Sequence, residues 1–490
     1  MKRVICFIFI SLSFLYFLTY CKSENTLVKT SEKTCNTITF NSSDSDLNKV
    51  FMWAKNQALA YAFTGDPVGQ WCEATLPGRK AFCMRDVSHQ CIGAEILGLN
   101  QENKNMFTKF VSNISESKKW CSYWEINKWD KPAPVDYEND NDFWYNLNAN
   151  FDVIYACWRL YNWTGNKTYI NDPVFLNFYS KSLNEYIHKW KLEPDSLLNR
   201  PELLNVDPNL TNRMFTHGYG LASYAEDVPG LTMSTDLISA IYQGYISYSE
   251  ILNNNGKADE SKLNSQKAEE YSQILNTKWW DPAANLYNTY YTRDGNFGKG
   301  EGEAYLLWFD ILKDLNKINY TINNLTSKTW NVENMSYFPY LLYKNGYWDK
   351  AYEYLLYCSN PATERREYPE VSFGVIEGIV QGLMGVTPDA VTRMIRTLHR
   401  TNREVTSELK NLPVLGTSIN IIHTGTTKSS MSNNGNKSIT WQAMFRGKYS
   451  KAQAGNKFMT TKTEKDKQGY DISYVDILLA PGKQIEVTVF

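Results

Sequence analysis

The stretch Met84-Arg85-Asp86-Val87-Ser88-His89-Gln90 carries the first residues suited to chemistry. In a helix, Asp86 and His89 share one face, and Arg85 beside Asp86 suits an ion pair that holds a carboxylate rigidly against two hydroxyl groups. A second stretch runs from Lys119 through Trp120, Trp124, Glu125 and Trp129 to Asp136, Asp140, Asp142 and Trp144. Indole rings stack on the apolar faces of sugars while carboxylates take their hydroxyls, so this loop reads as the wall of a carbohydrate cleft. Three further loops carry acids. They are His217 to Gly230 with Glu226 and Asp227, Gly298 to Glu303 with Glu301 and Glu303, and Arg366 to Phe373 with Glu370. Cleaving a glycosidic bond needs two carboxyl groups across it, one to protonate the leaving oxygen and one to activate water or attack. The candidate substrate-binding set is therefore Asp86, Arg85, His89, Trp124, Glu125, Asp142, Trp144, His217, Glu301 and Glu303. Spacing does not say which carboxyls form the reacting pair. The plainer readings are a salt bridge at a helix start, packing of a long ordered loop, and acids favoured at helix N-termini by the macrodipole.

Other chemistries find little support. Only five His occur, and there is no H-E-x-x-H, Walker A, G-x-G-x-x-G or G-x-S-x-G. No metal ion or cofactor is expected. With 51 Lys+Arg against 52 Asp+Glu in 490 residues, the chain lacks the basic footprint of a nucleic-acid binder. A mean hydropathy of -0.46 excludes a polytopic membrane protein. Aromatic residues make up 14%, including 15 Trp and 33 Tyr, more than a hydrophobic core requires. The expected partner is an oligosaccharide or polysaccharide.

Lys2-Arg3, an apolar run from Val4 to Tyr20, and then Cys21 read as a signal peptide or lipoprotein signal over residues 1–21. The expectation is export to the periplasm or cell surface, or secretion, with Cys21 as a possible lipid attachment. Residues 22–44 read as a linker. No C-x-x-C pair occurs, and Cys72, Cys83, Cys91 and Cys121 are the candidates for one or two disulfides.

Helical periodicity dominates from about 45 to 400. Long helices start near Ser45, Cys83, Asn103, Leu147, Pro173, Thr232, Ser261 and Glu301, and shorter ones cover about 333–344, 346–358, 371–385 and 388–400. Acids precede or open the helices near Cys83, Leu147, Met233, Glu301, Asn334 and Val371: Asp86, Asp140 and Asp142, Glu226 and Asp227, Glu301 and Glu303, Glu333, Glu370. After 402 the segments 418–423, 438–445 and 484–490 alternate as strands, with Asn433-Asn434-Gly435 as a hairpin signal. The expected architecture is mainly α: an (α/α)6 toroid barrel over 45–401, with a small C-terminal β extension over 402–490.

These residues resemble the six-hairpin glycosidase superfamily across about 45–400. Met84-Arg85-Asp86-Val87-Ser88-His89-Gln90 is similar to the Arg-Asp-Ser motif of exo-mannosidases, glucoamylases and trehalases of that fold, with Val87 as a departure. Trp124-Glu125, Phe151-Asp152 and Trp163-Thr164-Gly165 are similar to the second hairpin of the exo-mannosidases. The resemblance implies that Asp86 binds the sugar in the cleaved subsite, that Glu226 or Asp227 is the general acid, with Glu301 or Glu303 as the alternative because Glu226-Asp227 lies farther upstream than the family's acids, and that Pro369-Glu370 carries the general base. The implied activity is hydrolysis of a terminal sugar or uronic acid. Arg79, Lys80, Arg85, Arg213, Arg365 and Arg366 are placed to hold a uronate carboxylate. Two other functions stay open: a polysaccharide lyase using His89 or His217 with Tyr219 or Tyr224, and a carbohydrate-binding surface protein without catalysis.

Overall fold

The structure, a computed structural model, describes residues 38–200, 219–226 and 228–490. The N-terminal segment with Cys21, and also Arg213, His217 and Asp227, lie outside the described residues. Residues Thr37–Phe490 form one compact unit.

Twelve of the helices among the described residues fall into two sets. They are α1 (Ser45–Ala60), α2 (Met84–Ile96), α3 (Asn100–Ser112), α4 (Ala149–Thr164), α5 (Pro173–Leu183) and α6 (Thr235–Asn254). The second half comprises α7 (Ala258–Ile274), α8 (Ala304–Trp308), α9 (Leu315–Leu325), α10 (Phe338–Lys344), α11 (Trp348–Ser359) and α12 (Pro369–Glu377). Several starts have a clear local cause. Asp44, Asp172 and Asp314 cap α1, α5 and α9 by accepting from backbone N–H groups, and Pro173 supplies the first helical residue of α5.

The even-numbered helices are buried on nearly every side. All nine residues of α12 are buried, whereas α7 buries only Ala268, Tyr271 and Ser272. The buried set also packs on itself in sequence: α2 on α4, α4 on α6, α6 on α8, α8 on α10, α10 on α12, and α12 back on α2. The odd-numbered helices lie against this circuit, α1 on α12, α3 on α2, α7 on α6, α9 on α8 and α11 on α10. Closure depends on backbone approach. A Cβ on Gly93 of α2 would overlap the Phe373 carbonyl of α12, and one on Gly374 would lie 2.5 Å from the Ser336 carbonyl oxygen.

The described residues are about 40% helix and 25% strand, so the β part is more than the small extension expected. Strand β1 (Thr39–Ser42), in the segment read as linker, is the edge of a seven-stranded sheet. The later strands are β2 (Thr387–Asp389), β3 (Met394–Leu398), β4 (Thr406–Val414), β5 (Thr417–Thr424), β6 (Lys428–Asn433) and β7 (Ile439–Arg446). They continue with β8 (Lys451–Ala454), β9 (Lys457–Thr460), β10 (Lys462–Lys465), β11 (Asp471–Leu479) and β12 (Gln484–Val489). One sheet has the order β1-β4-β5-β6-β12-β8-β9, and the other β2-β3-β7-β11-β10.

Three local expectations are corrected. Residues 388–400 are not helical: β2 and β3 form there, and β3 pairs in parallel with β7, so sheet hydrogen bonds override a weak helical pattern. The helix expected from Glu301 to Leu315 is the short α8, after which Asp310 takes a positive φ and Asp314 caps a separate α9. Asn433-Asn434-Gly435 makes no hairpin, because β6 before it and β7 after it belong to different sheets.

The sheets lie at the C-terminal ends of the buried helices. The Trp163 indole at the end of α4 donates to the Pro413 carbonyl at 2.9 Å, and Arg400 donates to the Gln381 and Gly382 carbonyls just after α12. Cys72, Cys83, Cys91 and Cys121 are free and buried. Among the described residues no helix is long and apolar enough to cross a membrane.

Closure leaves no room for a methyl group where α2 meets α12 at Gly93, nor where α12 meets Ser336, just ahead of α10, at Gly374. Gly93→Ala and Gly374→Ala should each lower stability by about 1–3 kcal/mol through overpacking. The check is thermal unfolding of each variant beside Gly300→Ala, whose Cβ would come no nearer than 3.5 Å to the Tyr290 ring.

Candidate active site

The starts of α2 and α12 open onto one cavity of about 580 Å³. Its floor is an ionic cluster. Arg85, in the first turn of α2, places Nε 3.3 Å from Asp86 Oδ1 and Nη2 3.5 Å from Glu333 Oε2. Glu370, in the first turn of α12, is 4% exposed and accepts a 2.6 Å hydrogen bond from the Tyr337 hydroxyl. The Arg85 guanidinium also stacks over the Tyr224 and Trp124 rings, 5.0 and 5.8 Å from their centroids.

One wall comes from the strand pair Ala81–Cys83 and Glu125–Asn127, whose register sets Cys83 opposite Glu125. This pairing carries Glu125 to the start of α2. There Arg79 bridges Glu125 Oε1 at 2.9 Å and Asp136 Oδ2 at 2.8 Å. The opposite wall comes from Tyr145–Asn146, which pairs in parallel with Tyr219–Leu221. Asn146 Nδ2 donates to Glu226 Oε2 at 3.1 Å. The loop bearing Glu226 is anchored below by Asp236, in the first turn of α6. Asp236 is fully buried and accepts from the Tyr224 N–H at 3.1 Å, from Asn148 Nδ2 at 3.0 Å and from the Ser234 hydroxyl.

Burial dominates the electrostatics. It raises the Glu370 carboxyl well above the usual range, and the charges of Asp86 and Glu333 push the same way, while the Tyr337 hydroxyl and Arg85 oppose them. Burial and the neighbouring Asp136 raise Glu125 to about 8 against the pull of Arg79. Several acids around one guanidinium cannot all ionise at little cost, and the deepest retains its proton longest.

Of the sequence candidates, Arg85, Asp86, Trp124, Glu125, Trp144, Glu226 and Glu370 line this cavity. Four others do not. His89 is 2% exposed beneath the floor, stacked on Tyr305 and edge-on to Tyr337, with Nε2 3.6 Å from Asp152 Oδ1. It faces the helix core because α2 is buried all round, so sharing a face with Asp86 does not bring it to the surface. Glu301 accepts from Asn334 at 2.8 Å, and Glu303 is buried against Asn324. Asp142 belongs to a two-stranded turn outside the lining. Of the other stacking candidates, Trp129 is 57% exposed away from the cavity, and Trp120 takes Lys181 over its ring.

The candidate set omitted Asn146, Thr75 and Tyr337. Tyr337 immediately precedes α10, and a tyrosine at a helix start gives no sign of its own that it will meet a carboxyl from another helix. Asn146 carries no sequence signal, since its place depends on a parallel pairing with residues more than seventy positions away. Among the described residues no group of three His, Cys, Asp or Glu side chains could hold a metal.

No family model and no curated protein matches the chain. Solved structures do. The α-L-rhamnosidase from Dictyoglumus thermophilum superposes with a TM-score of 0.61 at 14% identity, over 92% of this chain and 50% of its own. A GH78 family rhamnosidase of Bacillus sp. GL1 matches with a TM-score of 0.55 at 13% identity, over 81% of this chain and 40% of its own. The likeness is one of fold, and this chain matches no more than about half the length of either enzyme.

Glu303 offers a test of the buried electrostatics. Burial raises its carboxyl to about 7. The folded protein thus keeps a proton that the unfolded chain loses near about 4.3. The group favours folding most at acid pH, and that contribution falls as pH climbs to about 7. Glu303→Gln should raise the melting temperature by a few degrees at pH 8 and leave it nearly unchanged at pH 5, read by scanning calorimetry at both values.

Proposed function

We propose that the chain is an exported glycosidase that removes a terminal sugar by carboxylate acid–base catalysis, on an (α/α)6 toroid. The observation that carries this reading is the meeting of six carboxyl side chains, Trp124 and Trp144 in one cavity at the helix starts. The circuit of buried helices and the likeness to rhamnosidase folds support the toroid. Fold alone leaves function open, and the cavity carries the reading. Export rests on Lys2-Arg3 and the apolar run after them. The lyase alternative loses His89 as a partner, because that ring is buried behind Tyr305 and Tyr337.

The roles follow from burial and position. The leaving group needs a proton donor apart from the buried Glu370, and Glu226, a half-buried carboxyl of the lining held by Asn146, is assigned that role. Glu370 lies at the floor beside Asp86, where the terminal sugar would sit, and acts as base toward a water. Asp86, fixed by Arg85, holds sugar hydroxyls. Asp227 lies outside the described residues, and the donor role is assigned to Glu226 on position.

The general test is a panel of aryl glycosides and oligosaccharides, scored for released reducing sugar; no cleavage of any member would sink the reading. Glu370→Gln should lower kcat by about 10²–10⁴-fold. Glu226→Gln should do likewise on natural linkages, yet lose much less on dinitrophenyl glycosides, whose leaving group needs no proton.

The pH profile separates base from acid. Glu370 must be ionised to act as base, so kcat/KM should rise with pH through a value above that of an ordinary Glu. Tyr337→Phe removes a hydrogen bond that favours the carboxylate and should move this limb to higher pH. Glu333→Gln removes a repelling charge and should move it lower. A rate that falls through the same pKa would make Glu370 the proton donor instead.

A further inference from the structure

The cavity's charges are unevenly committed. Of its nine charged lining residues, six are acids and three are arginines. Arg79 is held by Glu125 and Asp136, and Arg85 by Asp86 and Glu333. Arg365 differs from both. Among the described residues no carboxylate stands within ion-pair distance of it, although it lines the same cavity. It is also exposed where the other two are half-buried.

Its place is fixed. The Tyr368 N–H donates to the Arg365 carbonyl at 3.0 Å, and the neighbouring Arg366 is anchored to the Ser359 carbonyl at 2.6 Å. The Arg365 guanidinium lies 5.5 Å from the centroid of the Tyr368 ring, itself part of the lining. The outcome is a planar cation with uncommitted donors on the rim of a cavity whose floor is acidic.

We propose that Arg365 is a specificity residue for an oxyanion substituent, a carboxylate or a sulfate ester, on the sugar that follows the cleaved bond. The terminal sugar itself is neutral. An anion on the terminal sugar would meet Asp86 and Glu333, whose shared partner Arg85 is already committed to them, beside Glu370, which must ionise to act, and like charges there disfavour it. An anion one residue further out meets Arg365 at the mouth, where a guanidinium takes two oxygens side by side. The proposal rests on the glycosidase reading and narrows its substrate class. It also reverses the option of a uronic acid in the terminal position.

The test compares oligosaccharides that share one neutral terminal sugar, followed by a neutral, a uronic or a 6-O-sulfated residue. Wild-type kcat/KM should favour at least one anionic member by about tenfold at low salt, with the preference shrinking at high salt because the site is exposed. The uronic and sulfated arms show which oxyanion is taken. Arg365→Gln should bring the anionic-to-neutral ratio close to one, and Arg365→Lys should restore part of it. Calorimetric binding of the same compounds to wild type and Arg365→Gln gives a readout that needs no turnover. A preference that is absent, or that survives Arg365→Gln, overturns the proposal while cleavage of neutral compounds leaves the glycosidase reading intact. Selective anion binding without any cleavage overturns that reading and upholds the role of Arg365. Neither binding nor cleavage overturns both.

Discussion

Arg85 holds Asp86 and Glu333 within 3.5 Å, beside a buried Glu370, and these residues come from segments almost three hundred positions apart. A lone carboxyl at that depth would stay protonated and inert, and a lone guanidinium would carry an uncompensated charge. Together they form a cluster that tolerates burial and leaves one acid poised by its neighbours. The cluster exists only if α2, α12 and the segment before α10 begin at the same place. That requires the circuit of buried helices to close, and closure at α2 and α12 requires the bare backbone at Gly93 and Gly374.

The direction of the helices then divides the molecule. Their N-terminal ends carry Asp86, Asp236, Glu303 and Glu370, where exposed N–H groups favour acids. Their C-terminal ends receive the β sheets, through Trp163, Arg400 and the His423 ring on the Met384 carbonyl. Ligand chemistry at one end and sheet packing at the other follow from one helical polarity. The acids at the open end do not share one fate. Asp236 turns inward to anchor the Glu226 loop, and Glu303 turns to Asn324. A helix start brings a carboxyl to the mouth, but the neighbours decide whether it faces a ligand.

Helix existence was largely legible, because stretches such as Ser45–Ala60 and Thr235–Asn254 pattern strongly. Their ends were legible where a cap stood, as at Asp172-Pro173. The errors have physical reasons. At 388–400 the local pattern is weak, and pairing with a distant strand decides the conformation. At Thr39–Ser42 the partner is β4, more than 360 residues away, and no local signal reports it. His89 is the clearest case at the site. Helical spacing placed it beside Asp86, yet α2 is enclosed on all sides, so an inward residue of the same helix meets Tyr305 and Tyr337 rather than solvent.

The residues alone determined the kind of chemistry: carboxyls at helix starts, an Arg-Asp pair, and Trp beside acids in a long loop. These are properties of side-chain type and short spacing. Which carboxyls share a cavity, which of them sits deepest, and which arginine is left uncommitted were decided by tertiary structure alone. Depth and pairing depend on contacts between segments remote in sequence, and the environment that shifts Glu370 and leaves Arg365 open is made of those contacts.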